Sequence, residues 1–369
     1  MDRSILHGCI DFLSDYDKLY SCPNYRGSIE TWMDEFEHDF EVVLPEDEID
    51  TSLYIKGIQD ALGMFISNAS SVSWTDMSIE NRRQIIENLL GTLQVQQRTT
   101  EWYSQSKTLL TASEFSNILG STRAVAAIAL KKAAPVSLST DTACSTTAMT
   151  PFSWGIRFEP VVKQVLTAMW ECEIVEVGRF IHPVDSRLAA SPDGILRAAL
   201  DPARIGRLLE IKCPVSRGIN GSIPFDYWCQ MQVQMEVTGI DECEYVEMKI
   251  VSAYRDTNYV VPEVPVAHAG TVWLFQCSET LELKYAYTPS EKADLEVLEW
   301  NCLEVIPWHL EKMYNEVVSR DRNWFEGTKQ KQEEFWCRVA DAHKGLIEPP
   351  KRRTKAPVVQ VCQIMDDVT

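Results

Sequence analysis

Between Arg187 and Ser216 the chain reads RLAASPDGILRAALDPARIGRLLEIKCPVS, and no other stretch restricts its own geometry as tightly. Two apolar, strand-like pieces flank a polar turn, which reads as a hairpin with Asp193 near the end of one strand and Glu210 in the other. Side chains alternate along a strand, so Glu210 and Lys212 project to one face while Ile211 points to the opposite, buried side. Two carboxylates and an ammonium then converge on one point. Taken singly the pieces are commonplace, since Asp-Gly after Pro is a frequent turn and Glu-x-Lys a frequent surface pair on strands. Their joint occurrence, each within apolar strand-like surroundings, points to chemistry.

Hard divalent cations such as Mg²⁺ and Mn²⁺ favour carboxylate and carbonyl oxygens, which suits Asp193, Glu210 and the backbone carbonyl of Ile211 as ligands. Such an ion polarises a phosphate and lowers the pKa of bound water. Lys212 is expected to orient that water or help deprotonate it, with its own pKa lowered by a cationic site. Upstream, WGIRFEPVVKQVLTAMW reads as a helix with Phe158, Val162, Val165, Leu166 and Met169 as its buried stripe. Glu159 lies beside that stripe and is a candidate for a second metal site or for holding a metal-bound water; the alternative is an ordinary first-turn glutamate. Downstream, FDYWCQMQVQMEVTG suggests another helix. There Gln230 either meets the water or phosphate, or is simply a polar helix residue.

Five blocks stand in order: EWYSQSKTLLTASEF, WGIRFE, ASPDG, LEIKCP and YWCQMQVQMEVTG. In order and spacing, over roughly 98–239, they resemble the lambda exonuclease and YqaJ-like viral recombinase nucleases of the PD-(D/E)XK superfamily, relatives of the viral alkaline nucleases. The resemblance implies an α/β fold, α+β in its mixed sheet, with a restriction-endonuclease-like core flanked by helices. It implies Glu159, Asp193, Glu210, Lys212 and Gln230 as the catalytic set and two ions of Mg²⁺ or Mn²⁺. The implied activity is resection of linear double-stranded DNA from a free 5′ end, for recombination or single-strand annealing. A homotrimer and a single-strand annealing partner are implied as well. Ser113 matches the family's serine for a terminal 5′ phosphate, and Thr111–Glu114 has the form of a capping box, placing Ser113 at a helix N-terminus. One position departs: where the family has an arginine reaching that phosphate, this chain has Ser106, with Lys107 beside it as a point-charge substitute. Only a modest preference for phosphorylated ends is therefore expected, unless another cation has replaced the arginine. Arg98 and Arg123 are further candidates for phosphate contact. Alternatives to the exonuclease are an endonuclease on the same core, or a catalytically silent module that binds DNA or a partner.

The chain divides into an acidic, mainly helical N-terminal extension (1–97), a nuclease domain (98–325) and a helical segment with a basic tail (326–369). The net charge of −19 argues against a nucleic-acid partner until its distribution is counted. Residues 1–97 hold 18 Asp and Glu against 6 Lys and Arg, whereas residues 98–253 hold 17 against 15. A basic groove in the middle is thus compatible with the total. Ile85, Ile86, Leu89, Leu90 and Leu93 recur at helical spacing as the core stripe of a helix over 78–93, and a Ser/Thr-rich loop is expected at 136–151. Strands are expected near 271–276 and 281–287, followed by a long helix over 293–320 whose apolar face is Leu295, Leu298, Cys302, Val305, Leu310 and Tyr314. None of the 11 cysteines stands in C-x-x-C spacing, so free thiols are expected. With no long apolar run, the expected setting is intracellular and away from membranes, and the PPKRRTK tail adds a nuclear address if the host is eukaryotic.

Overall fold

The computed structural model describes residues 74, 77–134, 149–253, 259–260, 262 and 268–348. Most of the acidic extension, the Ser/Thr-rich stretch at 136–148 and the basic tail lie outside them. The helices in chain order are α1 (Ile79–Leu90), α2 (Thr100–Gln105), α3 (Phe115–Leu119), α4 (Thr122–Ala133), α5 (Pro151–Trp170), α6 (Phe225–Thr238), α7 (Pro289–Val297), α8 (Arg322–Gly327) and α9 (Lys329–His343). The strands are β1 (Leu110–Thr111), β2 (Cys172–Val175), β3 (Phe180–Ile181), β4 (Leu188–Ala190), β5 (Gly194–Ala199), β6 (Leu208–Lys212), β7 (Glu242–Ser252), β8 (Ala269–Gln276), β9 (Leu283–Ala286) and β10 (Asn301–Ser319).

Seven strands form one mixed sheet in the order β2-β5-β6-β7-β10-β8-β9. Every neighbouring pair is antiparallel except β6 and β7, which run parallel and are joined through the crossover helix α6. A small second sheet holds β1 parallel to β4 and β3 antiparallel to it. Helices cover both faces of the large sheet. On one side the α5 residues Trp154, Phe158, Val161, Val162, Val165 and Leu166 pack on Leu209, Ile211, Val246 and Met248. On the other, Met231 and Met235 of α6 share a core with Leu208, Ile195, Cys243 and Tyr245. Phe335, Val339 and Ala342 of α9 lie in that same core, so the C-terminal helix is built into it. The expected strands near 271–276 and 281–287 are β8 and β9.

Local sequence explains the helix limits. Thr150 accepts from the Ser153 amide to start α5, with Pro151 in the first turn where its missing N–H is harmless. Met169, expected in the stripe, is 44% exposed near the end of α5, and Leu93, beyond the end of α1, is 97% exposed. Both lie where the helical register no longer faces the core.

The expected helix over 293–320 is overturned. Here α7 starts with a capping box between Thr288 and Glu291 and stops at Val297. After Glu299, at φ 59°, the chain enters the 19-residue strand β10. Two facts decide against helix: Pro307 can supply no amide to a helical ladder, and the burial repeats every second residue. Ile306 and Trp308 are buried while Val305 is 61% exposed. The expected stripe matched helical spacing only by omitting Ile306 and Trp308.

Candidate active site

The β5–β6 hairpin pairs Gly194 with Leu209 and Ile195 with Leu208. One step further along that register, Asp193 stands across from Glu210, and the Asp193 amide donates to the Leu209 carbonyl at 3.0 Å. Glycine follows Asp193 for a steric reason: a Cβ at Gly194 would sit 2.7 Å from Ile174 Cγ2 and 3.2 Å from the Val175 carbonyl. Alternation along β6 sends Leu209 and Ile211 into the α5-side core and Leu208, Glu210 and Lys212 toward α6.

There the polar side chains meet. The Ile211 amide donates to Asp193 Oδ2 at 2.7 Å. Lys212 Nζ donates to Glu210 Oε1 and, at 3.3 Å, to Gln230 Oε1. It also lies 4.6 Å from the centre of the Tyr227 ring. Gln234 Nε2 donates to the second Glu210 oxygen at 2.6 Å, so both oxygens of a fully buried carboxylate are engaged. Glu210, Lys212, Gln230 and Gln234 are thus one hydrogen-bonded group, and Asp193 is tied beside it through the backbone amide of Ile211.

Glu159 is held differently. Its two oxygens face Arg98 Nη2 at 2.5 Å and Lys163 Nζ at 2.9 Å. Burial works to raise its pKa, but Lys163 and Arg98 together keep it below the usual carboxylate range. Arg98 is delivered by a strap stapled next to Asp193: Gln97 Nε2 donates to the carbonyls of Val177 and Pro192, each at 3.0 Å. For Asp193 the balance runs the other way. Burial first, then the facing charges of Glu210 and Glu159, push its carboxyl well above the ordinary value.

Lys212 corrects an expectation. Burial alone favours loss of its proton, yet Glu210 and Asp193 hold the ammonium above the normal lysine range. The expected lowering presupposed cationic surroundings, and the groups around it are carboxylates.

The residues expected at a terminal phosphate gather elsewhere. Ser106 Oγ donates to the Tyr103 carbonyl at 2.6 Å, and Lys107 Nζ to the Lys131 carbonyl at 3.0 Å. Ser113 is exposed in a three-residue 3₁₀ turn, 112–114. The expected capping box is absent from that turn, because Thr111 Oγ1 donates to the Glu114 carboxylate at 2.8 Å and caps no amide. Glu114 is instead committed to Lys131 and Lys132.

Sequence reasoning missed Gln234 and Lys163. Both were within reach, lying four residues after Gln230 and Glu159 and so on the same helix faces. Tyr227, three residues before Gln230, lies on that face too and was missed likewise.

Among the described residues, no three His, Cys, Asp or Glu side chains cluster in a way that could hold a metal ion. The donor chemistry nonetheless fits a hard cation: the half-buried Asp193 and the fully buried Glu210 are oxygen ligands facing each other across the hairpin.

Residues 101–241 match the YqaJ-like viral recombinase domain. A curated relative, uncharacterized protein R354 of Acanthamoeba polyphaga mimivirus, is 28% identical over 186 residues, which cover 42% of this chain and 34% of the relative. This chain therefore matches about a third of that relative's length. Among solved structures, the alkaline exonuclease LHK-Exo of Laribacter hongkongensis is 18% identical at a TM-score of 0.40, covering 67% of this chain and 96% of its own. LHK-Exo in complex with dAMP gives 0.39 with the same coverage. A phage-related exonuclease from Haemophilus somnus 129PT is 12% identical at 0.33, covering 64% and 92%. No helix among the described residues is long and apolar enough to cross a membrane.

Proposed function

We propose that this protein is a metal-dependent DNA exonuclease that resects linear duplex DNA, with Asp193, Glu210, Lys212 and Gln230 as its centre and Glu159 as an auxiliary carboxylate. The observation that carries the reading is the placement of the half-buried Asp193, the buried Glu210, a lysine and a glutamine about the end of β6, within the stretch that matches the YqaJ-like viral recombinase domain.

Mg²⁺ or Mn²⁺ would be held by Asp193, Glu210 and the Ile211 carbonyl, with Glu159 serving a water or second ion. Bound there it would supply Lewis acidity toward the scissile phosphate and its attacking water. The Ile211 amide fixes one Asp193 oxygen, and Gln234 with Lys212 fixes both Glu210 oxygens, so the ligands are preorganised. Lys212 stays charged and acts by donating: it orients a water or stabilises charge on phosphate oxygen. The Gln230 carbonyl oxygen accepts from Lys212, and in this reading its amide nitrogen would donate to water or phosphate. Opening of the Arg98–Glu159 pair would release a carboxylate oxygen and present a guanidinium to phosphate.

An end-labelled linear duplex incubated with Mg²⁺ and, separately, with chelator tests this. The expected result is metal-dependent release of nucleotides progressing from the 5′ end. Internal cuts in a closed circular duplex would mark an endonuclease. Binding without turnover in either condition would mark a silent module and end the proposal.

A further inference from the structure

Gln234 lies outside the catalytic set that the resemblance implies, yet it is bound up with the centre. It stands on α6 and is fully buried. Its Nε2 donates to Glu210 Oε2 at 2.6 Å, while its own Oε1 is buried without a hydrogen-bond partner among the described residues. A buried amide oxygen with nothing to accept is unfavourable, and an apolar side chain of similar size would leave no such atom. Turning the amide over brings no relief, because it would set the Gln234 oxygen against a carboxylate oxygen, acceptor on acceptor. The orphaned oxygen thus accompanies the hold on Glu210, and the use of the residue is to be sought there.

Glu210 is gripped from two separate elements. Lys212, on the same strand, donates to Oε1, and Gln234, on the crossover helix, donates to Oε2. A carboxylate has about four lone-pair directions, two on each oxygen, so each Glu210 oxygen keeps one for a further partner. Any swing of the carboxylate breaks one bond or the other, and both are charge-assisted bonds inside the core. Asp193, across the hairpin, is only half-buried, and the Ile211 amide engages its Oδ2.

Divalent ions differ in what they ask of such a ligand. Mg²⁺ demands octahedral geometry at about 2.0–2.1 Å, keeps several waters and takes few protein oxygens. Ca²⁺ gathers about six to eight oxygens at about 2.3–2.6 Å, often both oxygens of one carboxylate, and selectivity between the two follows from ligand number and flexibility. Adapting to Ca²⁺ requires a carboxylate free to move between one-oxygen and two-oxygen contact, and the double grip removes that freedom. We propose that Gln234 is a positioning residue that sets the ion preference of the centre, holding Glu210 as a single-oxygen ligand and so favouring Mg²⁺ or Mn²⁺ over Ca²⁺. This rests on the reading of Asp193 and Glu210 as ion ligands given above.

The test follows the melting temperature of the full chain against Mg²⁺ and, separately, Ca²⁺ concentration, the rise with concentration giving an apparent dissociation constant for each ion. Shifts that persist in Asp193→Asn belong to other acidic groups and are subtracted. The readout is the ratio of the Ca²⁺ constant to the Mg²⁺ constant. Loss of a charge-assisted hydrogen bond is roughly a 10- to 100-fold effect, so the ratio falls by about tenfold or more in Gln234→Met, chiefly through tighter Ca²⁺ binding. Gln234→Ser, too short to reach Glu210, gives the same fall and serves if the methionine variant does not fold. During digestion of linear duplex with Mg²⁺, Ca²⁺ inhibits both variants at correspondingly lower concentration than the wild type.

An unchanged ratio, or equal weakening of both ions, overturns the proposal and leaves Gln234 a packing residue. If neither ion stabilises the wild type beyond Asp193→Asn, the ligand reading itself fails and this inference falls with it. If ions bind but no duplex is digested, the nuclease reading fails while the ratio still decides the role of Gln234.

Discussion

Asp193→Asn separates the chemistry of the site from its stability. Asp193 is a half-buried carboxylate facing Glu210 and Glu159, and its carboxyl is pushed above the ordinary range by loss of solvent and by those charges. For an acid raised in the folded state, stability falls as pH climbs from the unfolded value toward the folded one, so at neutral pH the ionised group works against folding. Asparagine removes the charge while its amide oxygen can still accept from the Ile211 amide now 2.7 Å from Oδ2. Relief of active-site strain of this kind is typically worth about 0.5–2 kcal/mol. With an unfolding entropy of roughly 2 cal/mol/K per residue over 369 residues, each kcal/mol shifts the midpoint by about 1.3 °C, which gives an increase of about 0.6–2.6 °C. The assay is thermal unfolding in chelator at pH 7.5, repeated with Mg²⁺. The wild type gains about 2.7 kcal/mol when the free ion is about 100-fold above its dissociation constant, and Asp193→Asn gains little. A variant less stable than wild type in chelator, or equally stabilised by the ion, would refute both the crowded-carboxylate argument and the assignment of Asp193 as a ligand.

Lys212→Ala removes the donor shared by Glu210 and Gln230, and metal-dependent digestion should drop by about 10²-fold or more, measured as initial rate on linear duplex with the fold checked by circular dichroism. Phe335→Ala empties a fully buried site in α9 and should cost about 3–5 kcal/mol in urea unfolding; a neutral result would show that the C-terminal helix stands apart from the core. At Glu114 burial works against the charge, but Lys132 and Lys131 hold the carboxyl below its ordinary value, so its stabilisation is complete above the usual glutamate pKa and lost as pH falls through the lowered one. Glu114→Gln should therefore flatten the acid limb of the stability profile, read as melting temperature from pH 7 down to pH 3.

What the sequence made legible was the part governed by short-range rules. Alternation alone puts Glu210 and Lys212 on one face of β6, and helical spacing identifies α5 and α6 before any coordinates. The parts that escaped depend on partners remote in sequence. Nothing in NCLEVIPWHLEKMYNEVV reveals that β7 and β8 wait on either side of it, so a broken helical stripe looked as plausible as a strand. The charge state of Lys212 follows from which groups surround it in three dimensions. Arg179 reads as one more charged residue in the sequence, and only the folded chain shows it buried against Trp102.

The parallel step from β6 through α6 into β7 has a consequence for how such a protein can change. Glu210, Lys212, Gln230 and Gln234 all come from one unbroken run of 25 residues that crosses back over the sheet, so their mutual geometry travels together as a cassette. Lineages can lengthen β10, attach or trim β8 and β9, or append new ends to the chain without retuning those four groups. Asp193 sits outside that run, and the hairpin register that pairs Gly194 with Leu209 is what keeps it in step with the cassette.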